Sequence, residues 1–170
     1  MENTNANADF GAPWAKSLKW LTGFCVVILG GVAAIGLFSG PRESAIWILA
    51  MVVGPLAIHF GGAIFMIRGY TVAPGRLTIK RAGWSTRIDL GNLTAAEIDK
   101  DAMDKSLRLF GNGGLYCFAG LFRNKKLGNY RAFATDPKRS VILRFPNRTL
   151  VVTPDEPEKF VASLASSRPS

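Results

Sequence analysis

The chain contains one histidine and two cysteines, and this scarcity excludes several classes of function. The histidine is His59, and the cysteines are Cys25 and Cys117. A structural zinc site usually takes four Cys or His ligands, so these three residues cannot form one. From residue 69 onward there is no histidine, which excludes a Ser-His or Cys-His catalytic pair in that part. We therefore expect a protein that is not an enzyme and that uses no metal or cofactor.

Acidic residues are also scarce. The chain has 12 Asp and Glu against 21 Lys and Arg, a net charge of +9. From residue 69 onward there are 17 basic and 9 acidic residues, so this part carries +8 of that charge. Such a surplus favours anionic partners, phospholipid headgroups in the first place. Nucleic acid is not expected as a partner, because the aromatic residues between the charges fit the core of a domain better than a stacking surface.

Two stretches have no charged residue at all, residues 21–40 and residues 45–67. A bilayer core about 30 Å thick takes roughly 20 apolar helical residues, so each stretch is long enough to cross it. Residues 39–44 between them are too few for anything but a tight turn. The sequence thus predicts a transmembrane helical hairpin over residues 21–68. The alternative is two core helices of a soluble protein.

The placement of lysine and arginine predicts how the hairpin is oriented. Residues 1–20 form an expected disordered tail and an interfacial segment, with Lys16 and Lys19 just before the first span. The turn has only Arg42, beside Glu43. Five basic residues follow the second span, namely Arg68, Arg76, Lys80, Arg81 and Arg87. The positive-inside rule therefore predicts a multi-pass protein of the cytoplasmic membrane with both termini in the cytoplasm.

Two residues of the second span are unusual. Pro55 predicts a kink, and His59 follows one turn later. An ionisable group within a membrane is a candidate functional site, for example in a proton relay. The alternative, which we favour, is that His59 hydrogen-bonds a carbonyl that Pro55 leaves free.

After residue 68 the hydrophobic period changes from helical to two. About seven short alternating segments are separated by turn signals such as Pro74-Gly75, Ala82-Gly83 and Pro146-Asn147. Thr153-Pro154-Asp155-Glu156 reads as a capping box before an amphipathic helix. Strands joined in series by hairpins are antiparallel, and a single helix can cover the open side of their barrel. We therefore predict an α+β chain: the membrane hairpin, an antiparallel barrel with a C-terminal helix over residues 69–166, and a tail over residues 167–170.

Four segments make the chain resemble the bacterial PH-like (pleckstrin-homology-like) domain membrane proteins. They are residues 69–72 (GYTV), 107–115 (LRLFGNGGL), 127–136 (LGNYRAFATD) and 151–160 (VVTPDEPEKF). The resemblance implies a transmembrane hairpin followed by a PH-like barrel in a bacterial inner membrane, and it implies no catalytic residues. Residues 111–114 (GNGG) lack the ending of a P-loop, so we expect a turn with positive φ there instead of a phosphate site.

The strongest functional signal is a basic run. Residues 106–148 contain nine Lys and Arg and a single acid, Asp136. The predicted hairpin tip at residues 123–126 projects furthest, and we take Arg123, Lys125, Lys126 and Arg131 as candidate contacts for an anionic headgroup or a partner. The alternative is an ordinary solvated face. Three functions remain open: a membrane-anchored binding or scaffold module that docks a protein or a second copy, a headgroup sensor, and an accessory subunit of a transport or enzyme complex.

Overall fold

The computed structural model describes residues 7–41 and 43–167. Residues 1–6 of the expected tail, Arg42 of the expected turn and residues 168–170 lie outside the described part. Two helices precede most of the strands, α1 (Lys16–Phe38) and α2 (Ala45–Ile64), and both are long and apolar enough to cross a membrane. Only 17% of the most apolar window of α1 and 11% of that of α2 are buried. A core helix of a soluble protein would be mostly buried, so the exposure of these two favours the membrane interpretation.

The two helices form a hairpin, and a hydrogen bond near its turn joins them. The Trp47 indole donates a 3.0 Å hydrogen bond to the Gly36 carbonyl. A Cβ on Gly36 would lie 2.6 Å from the Cβ of Met51, so this glycine lets the helices approach closely. Within α2, Leu49–Val53 form a π-helical turn that ends two residues before Pro55. Such a turn is a usual accommodation near a residue that lacks an N–H.

The rest of the chain forms two sheets and a helix, which confirms the α+β class. The first sheet has four strands in the order β1 (Ala8–Gly11), β2 (Ile67–Ala73), β3 (Arg76–Arg81) and β4 (Ser85–Asp89). The strands of the second are β5 (Ala95–Ile98), β6 (Leu107–Gly113), β7 (Phe118–Asn124), β8 (Gly128–Ala134), β9 (Val141–Phe145) and β10 (Arg148–Val152), in the spatial order β5-β9-β10-β8-β7-β6. Helix α3 (Pro157–Ser166) follows.

Three details differ from the sequence prediction. The prediction of a disordered tail is wrong for Ala8–Gly11, because these residues form a strand that pairs antiparallel with β2. The sequence predicted about seven strands, all of them antiparallel. The structure has nine strands from Ile67 onward, and β8 and β10 run parallel. The reason is that β8 and β9 are not joined by a hairpin: β10 lies between them. Thr153 caps no helix, since α3 begins at Pro157 without a side-chain cap.

The main core lies between the sheets and beneath α3. It contains Tyr70, Leu77, Phe133, Leu143 and Phe160, each at most 2% exposed. A second apolar cluster lies on the other face of the six-stranded sheet and includes Phe122, Tyr130 and Ala102. Ala102 is fully buried although it lies in the polar segment between β5 and β6. That segment therefore acts partly as a cover for the outer face of the sheet.

Thr153 belongs to a buried polar network. The Tyr70 hydroxyl donates a 2.7 Å hydrogen bond to the Phe133 carbonyl, and the Thr153 N–H donates to the same hydroxyl at 3.2 Å. The Thr153 hydroxyl accepts from the Thr135 N–H at 2.8 Å. Burial raises the pKa of Tyr70 to about 12. This network ties β2, the first strand after the hairpin, to β8 and the end of β10.

Candidate functional site

The structure separates the four residues that the sequence grouped together. Lys126 forms an ion pair with Asp99, with Nζ and Oδ2 2.5 Å apart. Arg123 and Lys125 are exposed near the tip of the β7–β8 hairpin. Arg131 lies elsewhere, opposite Leu121 in the register of β7 and β8, and lines a groove beside helix α2. The tip and the groove are therefore two different surfaces.

The tip is held by its neighbours. The Asn124 side chain donates to the Ala102 carbonyl at 2.8 Å and accepts from the Leu127 N–H at 2.8 Å. The Lys126 ion pair lowers the pKa of Asp99 through a direct hydrogen bond. Part of the positive charge at the tip is thus neutralised within the protein.

A short loop between β6 and β7, Gly114–Cys117, joins the six-stranded sheet to the helical hairpin. The Thr22 hydroxyl of α1 donates to the Gly114 carbonyl at 3.2 Å and accepts from the Tyr116 N–H at 3.0 Å. The Tyr116 hydroxyl lies 2.9 Å from Nδ1 of His59 in α2. The Tyr116 ring also packs against Trp14, with ring centroids 6.1 Å apart. One loop therefore contacts both candidate membrane helices.

His59 thus has a partner other than the one expected. The sequence suggested a carbonyl freed by Pro55, whereas the structure gives it a side chain of the β6–β7 loop. Tyr116 adopts φ of +68°, a conformation that non-glycine residues rarely take. The predicted positive φ in the glycine-rich segment is present at Gly111 (+101°) and Gly114 (+134°), although Gly111 lies within β6.

A large groove lies between α2 and the two sheets. It has a volume of about 870 Å³. One wall is the end of α2, with Ala57, Ile58 and Gly61, and the floor includes Phe133. Gly62 and Phe65 also line the groove at the end of the helix. The four-stranded sheet contributes Arg81, Trp84 and Thr86. The six-stranded sheet and its β6–β7 loop contribute Arg108, Phe110, Gly111, Asn112, Leu115, Ala119, Gly120, Leu121 and Arg131.

Arg81 is the most buried charge in this groove, with 8% of its surface exposed. Its Nη1 donates to the Phe65 carbonyl at 2.9 Å, directly after the end of α2. Its guanidinium carbon lies 4.5 Å from the ring centroid of Trp84 and 5.4 Å from that of Phe133. Burial lowers the pKa of Arg81, and the nearby charge of Arg131 acts in the same direction. An arginine nevertheless stays protonated at neutral pH.

Arg131 shares an aromatic neighbour with Arg81. Its guanidinium carbon lies 5.3 Å from the Phe133 centroid, so one ring contacts two cations. Arg108 is the third arginine of the groove. No Asp or Glu lines the groove, and none of the three arginines forms an ion pair with a described residue. The groove thus concentrates positive charge beside an apolar helix.

Sequence reasoning selected Arg131 but missed Arg81 and Arg108 as parts of one site. A signal for Arg81 was present: Leu77, Ile79 and Arg81 occupy alternating positions of β3, so they share the face that turns inward. An arginine in such a position needs a ligand or polar partners. Arg108 gave no comparable signal, because a bulge between Arg108 and Phe110 breaks the alternation of β6.

Residues 68–167, more than half of the chain, match the family described as Bacterial PH domain. The chain belongs to this family. Comparisons with curated proteins and with solved structures give no match. Together with the two apolar helices, the family makes the chain a membrane-associated PH module.

Proposed function

We propose that this chain is a membrane-anchored, non-catalytic binding module whose PH domain recognises an anionic group at the surface of the membrane. The observation that carries the proposal is the groove beside α2, where Arg81, Arg108 and Arg131 have no acidic partner among the described residues. Arg81 is buried, and a buried cation is normally paired or hydrogen-bonded. Arg108 and Arg131 are exposed and add positive charge to the same groove. An anionic ligand would provide the missing counter-charge.

The attachment of the domain supports a site at the membrane surface. Thr22 and His59 lie near the ends of the helices that enter and leave the PH domain, and both contact Tyr116. A freely tethered domain would make no such contacts. Because the Gly114–Cys117 loop is fixed to both helices, the groove stays beside α2 and faces what surrounds that helix.

We place the domain at the cytoplasmic face of a bacterial inner membrane. Lys16 and Lys19 precede the first helix, and five basic residues follow the second closely. The positive-inside rule then puts both termini in the cytoplasm. Reporter fusions to the C-terminus test this orientation, and an active extracytoplasmic reporter would contradict it.

The binding proposal is tested with the full-length protein in neutral detergent. The protein is mixed with equal amounts of phosphatidylglycerol and phosphatidylcholine, and the retained lipids are counted by native mass spectrometry. We expect phosphatidylglycerol to be enriched, with the enrichment falling as salt rises because part of the interaction is screened. Equal retention of the two lipids at low salt would overturn the proposal.

A second candidate function is the docking of a protein partner or another copy of the chain. The observation that favours it is the edge strand β6, where Leu107, Leu109 and Phe110 are 67%, 46% and 79% exposed. An exposed apolar edge strand is a template for strand addition. Replacing Leu109 by Lys should abolish such an association without changing lipid retention, and cross-linking in membranes measures it.

A further inference from the structure

We propose that the groove beside α2 binds one anionic diacyl phospholipid, which enters sideways from the bilayer. Arg81, Arg108 and Arg131 hold its phosphate, and one acyl chain lies along Ala57 and Gly61 of α2. This inference rests on the proposed function and specifies its ligand and its site. The hairpin tip is not part of the site.

The charged end of the groove is built for a phosphate. Guanidinium groups present planar sets of N–H donors that match phosphate oxygens. Arg81 is already oriented by its bond to the Phe65 carbonyl and by the Trp84 ring, so little side-chain entropy is lost when a ligand binds. The Arg131 guanidinium carbon lies 5.3 Å from the centroid of the same Phe133 ring that Arg81 approaches to 5.4 Å. Two like charges beside one ring and in one groove, with no carboxylate in the lining, favour the binding of an anion.

The other end of the groove decides between a lipid and a free phosphate. Ala57, Ile58 and Gly61 belong to a helix that is long and apolar enough to cross a membrane. Phe110 and Leu121, 79% and 40% exposed, continue this apolar surface along the sheet. Inorganic phosphate would leave all of it uncovered. A volume of about 870 Å³ is also far more than a phosphate needs, and falls in the range of sites for larger ligands.

Gly61 offers a way to test the acyl-chain part alone. A Cβ built on Gly61 meets no atom within 4 Å, so the groove is open at this residue. A leucine there would occupy the groove without changing any charge. Gly31 in α1 is a matched position, since a Cβ there also meets nothing within 4 Å and the residue lies outside the groove lining.

The experiment uses full-length protein in neutral detergent and titrates phosphatidylglycerol by native mass spectrometry. We expect Arg131→Gln to weaken binding about tenfold, as the loss of one charge-assisted hydrogen bond does. Arg76→Gln removes the same charge from an exposed position of β3 and should bind like the wild type. Gly61→Leu should also weaken binding severalfold, whereas Gly31→Leu should not.

The outcomes separate this inference from the proposed function. If the wild type shows no preference for phosphatidylglycerol, both the proposed function and this inference are wrong. If the preference persists but Arg131→Gln equals Arg76→Gln, anionic binding stands and the groove is not its site. If Arg131→Gln weakens binding while Gly61→Leu does not, the groove holds a phosphate without an acyl chain, which contradicts a bound diacyl lipid. Titration with glycerol phosphate should show weak binding that Gly61→Leu leaves unchanged.

Discussion

Within the described structure, the Tyr116 hydroxyl and the His59 imidazole form the one hydrogen bond between two side chains that joins the PH domain to α2, at 2.9 Å from Oη to Nδ1. His59 is the only histidine of the chain. It therefore forms a structural link between α2 and the β6–β7 loop. A proton relay would need further ionisable groups beside it, and the ring contacts of His59 are Phe60 and Tyr116.

This bond leads to a prediction about stability. Tyr116→Phe removes one hydrogen bond and should lower the free energy of unfolding by about 1 kcal/mol. His59→Asn keeps a polar atom near the position of Nδ1, so it should cost less than His59→Leu. Thermal unfolding in detergent measures all three variants. A double-mutant cycle in which Tyr116→Phe costs as much in the His59→Leu background as in the wild type would show that the pair is not coupled.

A close approach of two strands predicts that Gly111 cannot be replaced. Gly111 faces Gly120 in the register of β6 and β7, and its Cβ would lie 2.3 Å from the Ala119 carbonyl oxygen. Its φ of +101° adds strain for any other residue. We expect Gly111→Ala to cost several kcal/mol, measured by chemical unfolding. Gly75→Ala is the control: φ is +67° with open space around it, so only the conformational cost of about 1–2 kcal/mol remains.

The sequence was enough for the class of fold because its signals are local. The two uncharged stretches predicted both helices. The alternation of apolar and polar residues, as at Leu77 and Ile79, predicted β3 and the strands after it. Ala8–Gly11 could not be found in this way. Four residues with one aromatic have no usable period, and their strand exists only because β2 offers an edge for pairing.

The candidate site could be predicted only in part, for a related reason. Arg131 was selected from the density of charge along the chain, which also selected Arg123, Lys125 and Lys126. What makes a site is that Arg81 and Arg131 approach the same Phe133 ring, and these residues are 50 positions apart in the sequence. This arrangement depends on how two sheets pack, which local periodicity does not contain. The role of the hairpin tip therefore stays a prediction.

Two buried groups predict a loss of stability at alkaline pH. Burial raises the pKa of Cys117 from 9.0 to about 11 and that of Tyr70 from 10.0 to about 12. In the unfolded chain each group loses its proton at its ordinary, lower pKa. Rising pH therefore stabilises the unfolded state relative to the folded state. Stability is full below about pH 9 and should fall between pH 9 and 12, by up to about 3 kcal/mol for each group.

Unfolding temperatures across pH 8–12 measure this effect. Cys117→Ala should remove the part of the loss between pH 9 and 11 and leave the part that belongs to Tyr70. Tyr70→Phe should lower stability at every pH, because the Phe133 carbonyl and the Thr153 N–H lose their partner. Its loss above pH 10 should nevertheless be smaller than in the wild type. An alkaline loss that is as large in both variants as in the wild type would contradict these assignments.

The ion pair at the hairpin tip gives the last prediction, which separates the tip from the groove. Lys126 lowers the pKa of Asp99, so the pair stabilises the fold above the ordinary pKa of 3.8 and is lost as pH falls through the lowered value. Asp99→Asn should cost at most about 1 kcal/mol at pH 7, since the Lys126 side chain is 56% exposed. It also frees the charge of Lys126. We expect phosphatidylglycerol retention in detergent to stay unchanged in this variant, because the groove carries the binding. Increased retention, reversed by adding Lys125→Ser and Lys126→Ser, would assign the lipid contact to the tip.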